Sequence, residues 1–245
     1  MQKFFVKDNQ IKNGIIKIDG TDVNHIINVL RLKENDEIQI CNKDTSENYV
    51  VKIEEYNNEN ILSRIIEKIE TTTETTFDLE IFQGLPKADK MEFIIQKTTE
   101  IGVKKIIPVA MERCVVKLSE KDVKKKTERW QKIAEVAAKQ SKRDCIPEIE
   151  DVIGINSLYN RINQYDLFIV AYEEEKQNSL KEILLNNKNA KKIGVLIGPE
   201  GGIDSKEIEN LKENGAKIIT LGSRILRTET APIVIAGNIV YELEN

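Results

Sequence analysis

The run KIGVLIG, residues 192–198, constrains the fold more than any other stretch of this chain. It is apolar without alternation, and a strand has that pattern when both of its faces are covered. Such strands belong to parallel sheets flanked by helices. The sequence from residue 79 onward has the matching alternation. LEIFQG (79–84), KKIIPVA (104–110), YDLFIVAY (165–172) and KIITLG (217–222) are expected strands. DKMEFIIQKTTEIG (89–102) is an expected helix, with Met91, Ile94, Ile95, Thr98 and Ile101 on one face. A long helix begins at Ser119, with Ser119 and Asp122 spaced as a capping box, and runs through RWQKIAEVAAKQ. SLKEILLN (179–186) and DSKEIENLKENG (204–215) are further helices; Asp204 and Glu207 are placed to cap the second and Gly215 to end it. TAPIVIAGNIVYEL (230–243) is apolar nearly all round and predicts a sandwiched helix. The fold class is therefore α/β with a mostly parallel sheet.

The first third differs. DEIQIC (36–41), YVVKI (49–53) and ILSRIIEKI (61–69) are expected strands, and DVNHIINVLR (22–31) a helix with Val23, Ile26, Ile27 and Leu30 on one face. These elements suit a small β-barrel over residues 1–70. TTTETT, Thr71–Thr76, has no apolar periodicity, so residues 71–77 are expected to link that barrel to an α/β domain at 78–245.

No apolar run approaches the roughly 18 residues of a membrane span, and the N-terminal MQKFFVKDNQ lacks the apolar core of a signal peptide. Cys41, Cys114 and Cys145 are sparse and far apart, which argues against disulfides and against a metal site and suits reduced thiols in a cytoplasmic protein. The net charge of −4 conceals a basic middle: residues 81–145 carry 16 basic and 9 acidic side chains. Such a segment is a candidate polyanion-binding face or a solvated helix surface.

Two segments carry the chemistry. VLIGPEGG, Val195–Gly202, leaves an expected strand at its carboxyl end, where open α/β sheets bind ligands. Its glycines let backbone N–H groups approach a ligand, yet the loop is neither GxGxxG nor a P-loop. Glu200 at its centre would repel a phosphate. S-adenosylmethionine suits it better: the adenosine takes main-chain partners and the positive sulfur tolerates a carboxylate. LGSRILRTETA, Leu221–Ala231, leaves the next expected strand the same way, so the two loops converge if their strands are neighbours. Arg227 and Glu229 would be costly to bury there unless paired or facing a ligand.

LIGPEGG with LGSRILRTETA resembles the SPOUT class of knotted RNA methyltransferases, and more narrowly the family that methylates N3 of a uridine in small-subunit (16S) ribosomal RNA. KADKMEFIIQKTTEIGV (87–103), ERCVVKL (112–118), RWQKIAEVAAKQSKRDCIPEI (129–149) and HIINVLRL (25–32) match as well. The resemblance implies a trefoil-knotted parallel α/β domain, a PUA-like RNA-binding barrel before it, and a homodimer with the knot in its interface. It implies S-adenosylmethionine held by Leu196, Ile197, Gly198, Pro199, Glu200, Gly201 and Gly202, by Leu221, Gly222, Ile225, Leu226, Arg227 and Thr228, and by Ala231. The sequence departs from the family at three places: Lys3 replaces an arginine, Asn24 a histidine, and Lys142 the glycine usual after Gln140-Ser141.

Loss of the uridine N3 proton requires a base or stabilisation of the anion. Glu200 and Glu229 are candidate bases, and Arg227 can face the developing negative oxygens; Glu200 and Arg227 are expected to matter most. His25 is expected to be structural or to face RNA. RNA phosphates are expected at Lys3, Arg31, Lys87, Lys90, Arg113, Lys117, Arg129, Lys142 and Arg143. Two alternatives stay open at this point: a SPOUT methyltransferase acting on another RNA or atom, and a non-catalytic ribosome-assembly protein.

Overall fold

The structure is a computed structural model and describes residues 1–70 and 72–244. Thr71 of the expected linker and Asn245 at the end of the expected second domain lie outside the described residues. The chain forms two compact units. One comprises Met1–Glu74 together with Ala138–Ile146, the other Thr75–Ala137 together with the chain from Pro147 onward.

The first unit is built on six strands: β1 Lys3–Val6, β2 Ile11–Lys12, β3 Ile15–Asp19, β4 Glu37–Asn42, β5 Asn48–Tyr56 and β6 Asn60–Ile69. Their order is β1-β4-β5-β6-β3-β2, with β1 parallel to β4 and the remaining pairs antiparallel. Alternation decides which face is buried: Ile16 and Ile18, Ile38 and Ile40, and Val51 and Ile53 turn inward. Phe4, Val6, Val23, Ile26 and Ile61 complete that core. Helix α1, Thr21–Asn24, continues into a π-type turn over His25–Val29. The three strands expected from sequence are present, and β1, β2 and β3 add to them.

Residues 138–146, expected in the α/β domain, belong to this first unit. Ala138 and Ile146 pack with Phe5 and Cys41. Lys3 forms a buried ion pair with Asp144, whose carboxylate also accepts the Thr73 N–H. Arg143 pairs with Glu74 and is only 3% exposed. The expectation that Lys3 and Arg143 meet RNA phosphates is therefore corrected. A buried charge needs a counter-charge, and each of these cations has one inside the fold. Lys142, which precedes Arg143 and is exposed, adopts φ +60. That left-handed conformation costs a side-chain-bearing residue energy and suits glycine.

The second unit holds β7 Asp78–Gly84, β8 Lys105–Ala110, β9 Glu148–Ile149, β10 Ile153–Gly154, β11 Leu167–Ala171, β12 Lys192–Ile197 and β13 Lys217–Ile219. The sheet runs β10-β8-β7-β12-β11-β13, with β9 beside β8, and every pairing is parallel. In the central β12, Ile193, Val195 and Leu196 are fully buried, as an unbroken apolar run requires. The helices are α2 Lys90–Ile101, α3 Glu120–Gln140, α4 Ile155–Tyr159, α5 Leu180–Leu185, α6 Ser205–Glu213 and α7 Ala231–Glu244. The expected caps are present: the Ser119 hydroxyl accepts the Asp122 N–H, Asp204 and Glu207 form a capping box, and Gly215 follows α6 at φ +95. Helix α7 packs on α2 and α5, while its Tyr241 stays exposed.

Candidate functional site

The sequence expected the two loops to converge if their strands are neighbours. They converge, but β11 lies between β12 and β13. The end of β11 thus joins the site, and Ala171, Tyr172 and Glu173 line the cleft with the loops after β12 and β13. Periodicity identifies strands and not their order, so these three residues were not foreseen. The cleft measures about 340 Å³, within the range of small-molecule sites.

Among the expected cofactor residues, Ile197, Gly198, Pro199, Glu200 and Gly202 line it from the first loop. Leu221, Gly222, Ile225, Leu226, Arg227, Thr228 and Ala231 line it from the second. Leu196 is not at its surface but fully buried in β12, and Gly201 faces Arg113 instead. Ser223 and Arg224, within the expected loop, line the cleft too, and Thr220 just before it adds a residue that the sequence did not indicate.

Backbone conformation explains the glycines at two places. Gly202 adopts φ +73 with the Glu173 carboxylate against it, and Gly222 turns at φ +106. A buried polar clip joins the loops beneath. The Thr228 hydroxyl donates to the Gly198 carbonyl at 2.7 Å and accepts from Gln83 Nε2 at 3.0 Å. Gln83, at the end of β7, also donates to the Gly84 carbonyl at 3.0 Å. Gln83 is fully buried and was not foreseen; its position after LEIF is the one sequence signal, since a polar residue in an apolar strand must find partners.

Above the clip sits a charged cluster. Lys90 Nζ lies 3.0 Å from Glu200 Oε1 and 3.1 Å from Glu229 Oε2, and the Lys87 N–H donates to Glu200 Oε1 at 3.0 Å. Burial pushes the Glu200 carboxyl up, but the Lys87 N–H and the Lys90 ammonium outweigh it and hold the group below the usual carboxylate range. Hydrogen bonds to Glu200 and then Glu229 hold Lys90 above the usual lysine value. Glu200 is thus a firmly ionised carboxylate. Arg227 lines the same cleft, and among the described residues its guanidinium has no ion pair.

The other expected RNA contacts are dispersed. Arg113 braces the first loop, donating to the Gly201 carbonyl at 3.3 Å and pairing with Asp204 at 3.4 Å. Arg129 pairs with Glu92 at 2.8 Å and remains largely exposed, and Lys87 and Lys117 are exposed. In the first unit Arg31 and Lys142 are exposed, and His25 sets its ring edge-on to Phe4. Asn24 accepts a hydrogen bond from Asn28.

A model of an RNA methyltransferase domain matches residues 73–240, and one of an RNA methyltransferase PUA domain matches residues 18–66. The chain is 38% identical to the ribosomal RNA small subunit methyltransferase E of Bacillus subtilis, across 100% of this chain and 98% of that protein. The chain belongs to the ribosomal RNA small subunit methyltransferase E family. A second member, from Mesomycoplasma hyopneumoniae, is 34% identical over 96% of this chain and 97% of its own. The crystal structure of ribosomal RNA small subunit methyltransferase E from Neisseria gonorrhoeae, bound to S-adenosyl methionine, superposes with a TM-score of 0.87. It is 28% identical, covering 98% of this chain and 96% of that one. This chain thus combines a PUA-type unit with a parallel α/β methyltransferase unit.

Proposed function

We propose that this protein methylates N3 of a specific uridine in small-subunit ribosomal RNA, using S-adenosylmethionine. The observation that carries the reading is the cleft itself: two glycine loops, clipped by Thr228 and Gln83, with ionised Glu200 and neighbouring Glu173 on its wall. Those residues fit the cofactor. Main-chain groups of both loops are available to adenosine, two carboxylates suit a positive sulfur, and a phosphate would be repelled. Bound there, S-adenosylmethionine supplies an activated methyl group. Arg227 faces the negative charge that develops on the uridine carbonyl oxygens as N3 loses its proton. Glu200, already ionised and paired, is a weak proton acceptor, so its part is electrostatic.

Three finer features belong to the same reading. The trefoil knot is supported by the path after β13. From that edge strand the chain returns past the ends of β11 and β12, Thr228 bonds Gly198 and Gln83, and α7 then packs on α2. A homodimer is supported by exposed Tyr241 on α7 and Ile225 in the second loop, the latter 85% exposed. RNA binding engages the exposed Arg31, Lys87, Lys117, Arg129 and Lys142, with cytoplasmic ribosomal particles as the substrate. No helix among the described residues is long and apolar enough to cross a membrane.

The test is nucleoside mass spectrometry of unmodified small-subunit RNA, and of the particles containing it, after incubation with the purified protein and S-adenosylmethionine. Appearance of 3-methyluridine is the expected result. Cofactor binding without 3-methyluridine would place the activity on another RNA or atom.

A further inference from the structure

We propose that Lys90 is a positioning residue for this reaction: its ammonium clips the two cofactor loops together through Glu200 of one and Glu229 of the other. The proposal rests on the cofactor reading of the cleft, and it replaces the expectation that Lys90 meets an RNA phosphate.

Lys90 is the first residue of α2, so its side chain reaches the loops from a rigid element outside both. Side-chain exposures of 29% for Lys90, 25% for Glu200 and 19% for Glu229 put the cluster half out of water. Glu229 Oε2 is buried, and the Lys90 ammonium 3.1 Å away is the charge that balances it. Two carboxylate oxygens that touch one ammonium lie within about 6 Å of each other, close enough for one to suppress ionisation of the other when the cation is removed. Besides Lys90, Glu200 is held by the Lys87 N–H and its own backbone N–H, which favour the ion, and lies near the Cys114 thiol, which burial keeps neutral; Glu173, Arg224 and Arg227 line the same cleft. Among the described residues no cation other than Lys90 forms an ion pair with Glu200 or Glu229.

Without Lys90, both loops therefore carry like charges into one another. At neutral pH the repulsion drives them apart and opens the cofactor cleft. At lower pH a shared proton draws them together again. In the wild-type protein the Lys90 ammonium sits between the two carboxylates and offsets their repulsion, so the loops stay closed across that range.

The experiment measures binding of S-adenosylhomocysteine by calorimetry between about pH 5 and pH 8, where a carboxylate pair without its cation would titrate. Its sulfur is neutral, so it reports loop position without a direct sulfonium–carboxylate attraction. Wild type is expected to bind with a flat profile. Lys90→Met is expected to bind about tenfold more weakly at pH 8 and to recover as pH falls. Lys90→Arg is expected to restore the flat profile, and Lys90→Met/Glu229→Gln to restore affinity at pH 8 by removing one of the repelling charges. Equal affinity and a flat profile in Lys90→Met would overturn the proposal. So would a drop of about one in the salt-dependence slope of RNA binding with cofactor binding untouched, the mark of a phosphate contact. Should Lys90→Met fail to fold, a Lys90→Arg protein with weakened, pH-dependent binding would overturn it. Failure of wild type to bind S-adenosylhomocysteine or S-adenosylmethionine at any pH would instead remove the cofactor reading, a distinguishable result.

Discussion

Gly84 ends β7 directly beneath the first cofactor loop, and replacing it by alanine tests how rigidly that loop is seated. A Cβ at position 84 would lie 2.6 Å from both Pro199 Cδ and Pro199 N, and 3.0 Å from the Gly198 carbonyl carbon. Carbon atoms rest at about 3.5–4.0 Å, so the turn must retreat by about 1 Å. Neither obstacle is the end of a flexible side chain; one is a proline ring and the other is backbone. Overpacking of this kind costs about 1–3 kcal/mol. The retreat also carries away the Gly198 carbonyl that Thr228 holds and the Glu200 carboxylate that Lys90 holds. A misplacement of about 1 Å can lower the rate about 100-fold. Urea unfolding reads the first effect; cofactor calorimetry and single-turnover methylation of ribosomal RNA read the second. Gly154→Ala is the control, because its Cβ meets nothing within 4 Å. It is expected to lose only part of a helix cap, about 0.5–1 kcal/mol, with cofactor affinity unchanged. A Gly84→Ala protein with wild-type stability and affinity would refute the claim that this contact seats the loop.

Lys142→Gly is expected to stabilise the protein by about 0.5–1 kcal/mol in urea unfolding, because it relieves a left-handed residue at φ +60. Lys3→Met strands Asp144 in the fold and is expected to cost about 3–5 kcal/mol. Burial raises the Asp144 carboxyl, but the Lys3 ammonium and the Thr73 N–H lower it further, below its ordinary 3.8. Its stabilisation is therefore complete above that value and fades as pH falls through the lower folded one, so the cost of Lys3→Met in urea unfolding should be full at neutral pH and shrink as pH falls through the folded value; a cost that grows in acid would refute the pairing. Glu200→Gln and Arg227→Ala are each expected to slow single-turnover methylation at least about tenfold; wild-type rates in both would remove them from the chemistry.

What the sequence made legible was whatever chemistry constrains locally. The glycines and Glu200 of 198–202, the box at Asp204 and Glu207, and the apolar run of β12 each announce their own environment. Long-range placement was not legible. Nothing in YDLFIVAY says that β11 inserts between β12 and β13, so Ala171, Tyr172 and Glu173 escaped notice. Lys3 looks like any surface lysine until Asp144, 141 residues away, is brought to it. Gly84 looks like the end of a strand, and only the fold reveals the proline pressed against it. Lys142 was noted as a departure from glycine, and its positive φ supplies the reason glycine fits there.

The clip beneath the cleft also dictates when the site comes into being. Gln83 reaches Gly198 across 115 positions and Thr228 across 145. Closing spans of that length is entropically costly, and pairing of parallel strands is slow for the same reason. During synthesis β7 and β12 emerge well before Thr228, so a nascent chain owns half of the clip and no cleft. Cofactor occupancy is thereby a report that the chain has folded as far as its last helix, and ligand added to a refolding mixture should accelerate none of the steps that precede the arrival of Thr228.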